Sequence, residues 1–118
     1  MKIYIAAPYP VRDDAIKAML ILEAAGHEVT SGWLRAPNEL GDEWARKDLE
    51  DVAAAEVLLA LNATEWENAG TGGRHVELGY ALALNKRVVL IGNRSNIFHY
   101  LNMVHVVDHI NEALLWLK

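Results

Sequence analysis

A glutamate at the start of a predicted helix is the residue best suited to chemistry in this sequence. Glu77 follows the glycine-rich segment Gly70–Gly73. The residues three, four and seven positions later form a mostly apolar stripe: Tyr80, Ala81 and Leu84. A helix start stabilises an ionised carboxylate, and glycines such as Gly73 let backbone amides approach a ligand. Glu77 is therefore predicted to be a nucleophile, the alternative being an ordinary surface pair with Arg74.

Asp48 is a second candidate. Its neighbours one helical turn away are Trp44 and Val52, so it shares the buried stripe of its helix. The other charges can pair at the four-residue spacing: Arg46 with Glu50 and Lys47 with Asp51. A buried carboxylate needs hydrogen-bond partners, so Asp48 is either a structural acceptor or a partner of Glu77. Glycosidic cleavage uses such a pair, one carboxylate at the oxocarbenium-like carbon and a second polar group for the leaving base or water.

Other motifs are weaker. Four aromatic side chains can stack on a base or simply pack in the core and loops: Tyr9, Trp33, Trp44 and Trp66. The glycine segment lacks the Lys and Ser or Thr of a phosphate-binding NTPase loop. It also follows the third predicted strand, whereas a dinucleotide-binding fingerprint follows the first. His105 and His109, with Asp108 between them, flank a strand-to-helix junction, which favours structural or surface histidines over metal ligands.

Hydrophobic periodicity predicts alternating strands and helices. Strands are predicted at Lys2–Ala7, His27–Thr30, Glu56–Leu61, Arg87–Ile91 and Met103–Val107. Helices are predicted at Arg12–Ala25, about Asp42–Ala54, His75–Leu84, Asn96–Leu101 and Asp108–Leu117. Asp42 and Asp108 are the expected N-caps, and Gly26 is expected to end the first helix.

This alternation predicts a flavodoxin-like α/β three-layer sandwich, in which a five-stranded parallel sheet carries helices on both faces. Ligands bind such sheets outside the carboxyl ends of the strands, near the point where the strand order reverses. The segments expected at that edge are Ala6–Arg12, Asn62–Glu77 and Gly92–Asn96.

Composition narrows the function further. The 118 residues suit one domain, and 53% of them are hydrophobic. A net charge of −5 with no basic cluster argues against nucleic-acid binding. With no long apolar run and no signal sequence, we expect a cytoplasmic protein without membrane contact that acts on small molecules. The absence of cysteine excludes thiol nucleophiles and disulfides.

Three segments resemble the nucleoside 2-deoxyribosyltransferase family. They are the opening IYIAAPYPVRDD, the stretch KDLEDVAAAEVLLAL at Lys47–Leu61, and ELGYAL at Glu77–Leu82 followed by NKRVVLIG. The resemblance implies a flavodoxin-like fold and a retaining mechanism through a deoxyribosyl ester on Glu77. It places Asp48 against the nucleoside, where it orients the sugar or relays the proton of the leaving base, and Tyr9 and Arg12 in a substrate loop. It implies homodimers or larger homo-oligomers with shared sites, and no metal or organic cofactor.

Two departures from the family pattern bear on the substrate. Thr71 stands six residues before Glu77, where the transferases tend to carry an aspartate. A hydroxyl accommodates phosphate better, so Arg12, Thr71 and His99 of a neighbouring subunit can hold a 5′-phosphate. The sequence also ends soon after its last predicted helix, without the extension that reaches the site in some transferases. A 2′-deoxynucleoside 5′-monophosphate N-hydrolase is therefore the first alternative, and a non-catalytic nucleotide-binding module is the second.

Overall fold

The computed structural model describes residues 1–36, 40–63 and 70–118. Its strands are β1 Lys2–Ala6, β2 Glu28–Val29, β3 Val57–Asn62, β4 Arg87–Gly92 and β5 Val104–Val107. The α-helices of the described residues are α1 Arg12–Ala24, α2 Asp42–Ala54, α3 Gly73–Ala83 and α4 Ile110–Trp116. Short 3₁₀ turns lie at Tyr9–Val11, Gly32–Leu34 and Ile97–Tyr100.

The strands form one parallel sheet in the order β2-β1-β3-β4-β5. Ile5 pairs with Leu59 and Leu59 with Val89, so the three central strands are in register. All six residues of β3 are buried, which is typical of a strand covered on both faces. The strand order is that of flavodoxin-like proteins, and the predicted fold class is confirmed.

Helices cover both faces of the sheet. The crossover from β1 to β2 through α1 runs in the opposite direction to the crossovers through α2 and α3. Since parallel crossovers are right-handed, α1 lies on one face, whereas α2 and α3 lie together on the other. The strand order reverses at β1 and β3, where two carboxyl-terminal loops diverge and leave a crevice.

The ends of several helices differ from the prediction. Helix α2 has Gly41 at its N-cap position, with φ 142°, and Asp42 is its first helical residue. Helix α4 is preceded by His109 rather than capped by Asp108. A side chain that is suitable for capping cannot act as a cap if the backbone enters the helix one residue away from it. Gly26, with φ 95°, does follow the end of α1 as predicted.

Ion pairs join side chains one turn apart on α2. Arg46 pairs with Asp42 at 2.6 Å, one turn back, instead of with Glu50, whereas the predicted pair of Lys47 and Asp51 is present at 2.8 Å.

In the described residues, no helix is long and apolar enough to cross a membrane. Trp66 lies outside the described residues, as do all of residues 64–69 of the predicted edge segment Asn62–Glu77.

Candidate active site

A pocket of about 310 Å³ opens at the carboxyl edge of the sheet, beside β1 and the start of α3. Its described lining comes from three parts of the chain: the loop after β1, the 3₁₀ turn and helix between β2 and β3, and the segment that leads into α3. The lining residues are Ala7, Pro8, Tyr9, Pro10, Trp33, Asp48, Gly70, Thr71, Gly72, Gly73, Arg74 and Glu77. Five of the seven predicted site residues are therefore brought together: Tyr9, Asp48, Thr71, Gly73 and Glu77.

A hydrogen bond from strand β1 of the sheet holds the carboxylate of Glu77. Glu77 lies in the first turns of α3 and is half-buried. The hydroxyl of Tyr4, which is fully buried on β1, donates a hydrogen bond to Glu77 Oε2. Arg74 is only 6% exposed, so a solvent-exposed Arg74–Glu77 pair is not the arrangement that forms. Glu77 instead presents a fixed carboxylate to the pocket.

Burial dominates the electrostatics of Glu77. It raises the pKa of the carboxyl from 4.5 to about 7, because a charge in a partly desolvated site is unfavourable. The Tyr4 hydrogen bond lowers this pKa, while the negative charge of Asp48 raises it. The pKa of the Tyr4 phenol is raised, first by burial and then by the Glu77 carboxylate, so its hydroxyl remains a donor.

Asp48 lines the same pocket from α2 and is half-buried. Burial raises the pKa of its carboxyl, the neighbouring charge of Asp51 raises it further, and Lys47 opposes them. A carboxyl with a raised pKa holds its proton to higher pH and can release it to a leaving group. The site thus brings together two carboxyl groups with raised pKa values, one of them hydrogen-bonded by Tyr4.

Tyr9 and Trp33 form an aromatic wall of the pocket. Their ring centroids are 6.3 Å apart, and the rings are tilted by 42°. The Trp33 indole is anchored because its Nε1 donates to the Ile5 carbonyl at 3.0 Å, whereas the Tyr9 ring is half exposed. A planar ligand can stack on Tyr9. Trp44 is not among the described lining residues of this pocket.

The segment before α3 forms the opposite rim. Gly70 and Gly72 have φ values of 75° and 92°, which favour glycine. A Cβ at Gly70 would also lie 3.4 Å from the Pro8 Cβ, so the two loops pack closely. Thr71 and Gly73 are exposed in this rim. The backbone amides at the start of α3 and the Thr71 hydroxyl together make a rim that suits an anionic group.

Arg12 is not brought to the pocket lining that the structure describes. Its guanidinium donates to the backbone carbonyl oxygens of Trp33 at 3.3 Å and Leu34 at 2.9 Å. Arg12 therefore holds the 3₁₀ turn that carries Trp33, and its predicted contact with a phosphate stays a prediction.

His99 is likewise absent from the described lining of this pocket. It is 1% exposed, and its Nδ1 accepts a hydrogen bond from the Ser95 amide at 2.9 Å. Burial and the nearby His75 and Arg74 lower its pKa, which favours the neutral ring. The role predicted for His99 of a neighbouring subunit stays a prediction.

Sequence reasoning missed Tyr4. Tyr4 could have been found from the sequence, because it is a phenol in an otherwise aliphatic strand that is predicted to be buried. A buried hydroxyl needs a hydrogen-bond partner. The partner itself lies 73 residues away along the chain, and only the pairing of β1 beside β3 makes that contact possible.

The described part of the chain does not group His105, Asp108 and His109 into a metal site. No three His, Asp or Glu side chains are grouped there to hold a metal ion. His105 instead packs its ring against Trp116, with centroids 3.3 Å apart.

Comparisons with known proteins identify the fold. Neither protein-family models nor curated proteins give a match. Among solved structures, the Clostridium botulinum CMP N-glycosidase BcmB has a TM-score of 0.68 at 20% identity, with 99% of this chain and 98% of that chain covered. A 2-desoxiribosyltransferase from Leishmania mexicana has a TM-score of 0.56 at 19% identity, with 92% and 75% covered. The fold of this chain is therefore similar to those of a CMP N-glycosidase and a 2-desoxiribosyltransferase.

Proposed function

We propose that this protein cleaves the N-glycosidic bond of 2′-deoxynucleosides and transfers the deoxyribosyl group to a second base. One observation carries the proposal: the Glu77 carboxylate, held by Tyr4, shares a pocket with Asp48 at the reversal point of the sheet. The fold supports it, since a CMP N-glycosidase and a 2-desoxiribosyltransferase have similar structures.

In the first step, an oxygen of ionised Glu77 attacks C1′ of the sugar. The C1′–N bond breaks, its electron pair goes to the base, and a proton from Asp48 neutralises the base nitrogen. The products are the free base, a deoxyribosyl ester of Glu77 and ionised Asp48. Tyr4 keeps the attacking carboxylate in place during this step, because its hydroxyl occupies Oε2.

In the second step, a nitrogen of another base attacks C1′ and gives its proton to Asp48. The ester C–O bond breaks, and its electron pair returns to the Glu77 carboxylate. Two displacements at C1′ retain the configuration of the sugar. Water in place of the second base gives free deoxyribose and completes a hydrolysis.

Hydrolysis of a 2′-deoxynucleoside 5′-monophosphate is the second candidate, and the rim of the pocket favours it. The Thr71 hydroxyl and the amides at the start of α3 suit a phosphate, and buried Arg74 adds positive charge to the same lining. The similar structure that spans nearly this whole chain is a CMP N-glycosidase.

Chromatography of the reaction products tests both functions. The protein is incubated with deoxynucleosides, deoxynucleoside monophosphates and ribonucleoside monophosphates, each with and without a second free base. A new nucleoside that requires the added base supports transfer. Free base released only from monophosphates would establish the hydrolase instead. Binding without turnover of any substrate would point to a non-catalytic module.

Variants and a trapped intermediate link the reaction to Glu77. We expect Glu77→Gln to lose activity by at least about 10³-fold, because the amide cannot act as the nucleophile. Glu28→Gln, on the exposed part of β2, is the matched control and should keep full activity. Mass spectrometry of the intact protein after mixing with a deoxynucleoside should detect a deoxyribosyl adduct, which Glu77→Gln should not form.

A further inference from the structure

Asp51 is a buried carboxylate that the proposed mechanism does not use. It lies one turn after Asp48 on α2 and is 8% exposed. Its Oδ2 accepts a hydrogen bond from the Gly32 amide at 3.0 Å, and its Oδ1 pairs with Lys47 Nζ at 2.8 Å. Both oxygens are therefore satisfied, as a buried carboxylate requires.

These contacts join α2 to the segment after β2. The Thr30 hydroxyl also donates to the Asp51 carbonyl oxygen at 2.8 Å, so the side chain and the backbone of Asp51 hold the same segment. A Cβ at Gly32 would lie only 3.0 Å from Asp51 Oδ2. Glycine at position 32 thus leaves the room that the carboxylate needs.

The segment that Asp51 holds carries part of the pocket wall. Trp33 follows Gly32 directly and lines the pocket. Ser31, which precedes Gly32, accepts a hydrogen bond from the Ile5 amide on its Oγ at 2.6 Å. The Trp33 indole donates to the Ile5 carbonyl. The segment is therefore fixed to β1 on one side and to α2, through Asp51, on the other.

On α2, Asp48 and Asp51 are three residues apart and lie on the same side of the helix. Asp48 faces the pocket from this helix, and Trp33 faces it from the segment that Asp51 holds. A displacement of α2 relative to this segment would move the proposed proton donor relative to the aromatic wall. Displacements on the order of 1 Å at a reacting centre can lower rates about 100-fold.

We propose that Asp51 is a positioning residue, which sets Asp48 against the Trp33 wall by binding the Gly32 amide. The inference rests on the proposed function, because Asp48 is assigned there as the proton donor. Asp51 touches neither substrate nor the reacting atoms in this proposal, and it acts through the placement of α2.

Two substitutions separate the hydrogen bond from the charge. Asp51→Asn keeps an oxygen that can accept from the Gly32 amide, whereas Asp51→Ala removes it. We expect Asp51→Ala to raise KM and lower kcat/KM roughly 10- to 100-fold, with Asp51→Asn restoring most of the KM. Lys47→Met, which removes the exposed partner of Asp51 but leaves the Gly32 bond, is the control and should keep the wild-type KM.

This pattern distinguishes positioning from folding. If Asp51 only stabilised the fold, Asp51→Ala would lower the folded fraction, which scales the apparent kcat and leaves KM unchanged. A wild-type KM in Asp51→Ala, with any loss of kcat matched by a loss of folded protein in circular dichroism, would overturn the inference.

The pH profile gives a second kinetic measure. The titratable and charged groups around Asp48 are Lys47 and Asp51 on α2, Glu77 on α3 and Tyr4 on β1. Asp51 raises the pKa of Asp48, so Asp51→Asn should move the limb of kcat/KM that Asp48 sets to lower pH. Lys47→Met should move it to higher pH, because Lys47 lowers the same pKa.

Amide hydrogen exchange tests the contact without any substrate. The Gly32 amide should exchange faster in Asp51→Ala than in the wild type, and Asp51→Asn should retain most of the protection. If the wild type turns over no substrate, the proposed function fails, and the exchange rate then decides the Asp51–Gly32 contact alone. Unchanged exchange at Gly32 in Asp51→Ala contradicts the inference whether or not the protein is active.

Discussion

Glu77 is subject to two opposing effects that its proposed role needs. Burial leaves the ionised oxygen poorly solvated and therefore reactive, and for the same reason it raises the pKa of Glu77 to about 7. The Tyr4 hydrogen bond favours the ionised form and fixes its direction. A fully exposed glutamate would be ionised at neutral pH but neither oriented nor desolvated.

The pH dependence of kcat/KM follows from this pair of carboxyls. Attack requires ionised Glu77, and departure of the base requires protonated Asp48, so the wild type should show two limbs, one of them near pH 7. Asp48→Asn should remove the limb that comes from Asp48. Its remaining activity should rise with pH and level off at or below pH 7, because the Asp48 charge no longer raises the pKa of Glu77.

Initial rates between pH 4 and 9 would check this, with buffer ionic strength held constant. A flat wild-type profile would contradict both assignments. An Asp48→Asn variant that kept both limbs would remove the proton-donor role from Asp48 and leave the proposed role of Glu77 unaffected.

The same pKa shift predicts a stability change. The folded pKa of Glu77, about 7, exceeds the ordinary value of 4.5, so folding favours the protonated form. The stabilising contribution is complete below pH 4.5 and is lost as the pH rises through 7. Glu77→Gln resembles the protonated carboxyl and should therefore raise the free energy of unfolding at pH 8 by about 1–3 kcal/mol.

Thermal unfolding at pH 4.5 and pH 8 measures this effect. We expect a gain of a few degrees in Tm at pH 8 and little change at pH 4.5. Glu28→Gln should show neither effect, since that side chain is exposed. Equal Tm changes at both pH values would mean that the gain does not come from the buried charge.

At the scale of single residues, a local pattern could select candidate residues, and the structure places two of them in one pocket. Glu77 and Asp48 could be singled out because each is a charge on an apolar stripe. The family resemblance implied a substrate loop for Arg12, and phosphate chemistry suggested both Arg12 and His99. The structure engages these two side chains with backbone groups of Trp33, Leu34 and Ser95. Those contacts depend on tertiary packing, which no local pattern contains.

At the scale of elements, the strands and helices could be predicted because each is a run with a clear period. The N-cap residues of α2 and α4 could not be predicted in the same way. Gly41 adopts φ 142° before α2, and a rule that favours aspartate selects Asp42, one residue too late. Strand β2 has two residues although four were predicted, since it lies at the edge of the sheet and pairs only with β1.

The close approach of β3 and β4 at Gly92 leads to a prediction about stability. It ends β4 with φ 118°, and a Cβ there would lie 2.4 Å from the Asn62 carbonyl oxygen of β3. Gly92→Ala should destabilise the protein by about 1–3 kcal/mol or more, through backbone strain and a contact that only main-chain movement can relieve. Chemical denaturation measures this change.

Gly79 is the matched control because it lies within α3, and a Cβ there meets nothing within 4 Å. Gly79→Ala should raise the free energy of unfolding by about 0.5–1 kcal/mol, the usual helical preference for alanine. If both variants changed stability in the same direction, the close approach of β3 and β4 at Gly92 would not be the cause.

At the scale of the whole molecule, the site is a consequence of the topology. The strand order places β1 beside β3, so the loop after β1 and the segment before α3 meet at one edge of the sheet. Sequence alternation predicted this class of fold, and the strand order fixes which loops converge. The homo-oligomer implied by the family resemblance stays a prediction that a measurement of mass in solution can check.

Ligand binding should stabilise the whole molecule, and the inactive Glu77→Gln variant allows the substrate to be identified without turnover. A ligand at 100 times its Kd adds about 2.7 kcal/mol to the free energy of unfolding, which raises Tm by several degrees. If the pocket is built for nucleosides, a deoxynucleoside and its 5′-monophosphate should stabilise this variant similarly. If the rim of Thr71 and the start of α3 binds phosphate, the monophosphate should stabilise it more, and Thr71→Val should remove the difference.

Free base and deoxyribose 5-phosphate, tested separately, show which half of the ligand supplies the affinity. No shift with any of these ligands would contradict the assignment of the pocket, whereas a larger shift with the monophosphate would favour the hydrolase over the transferase.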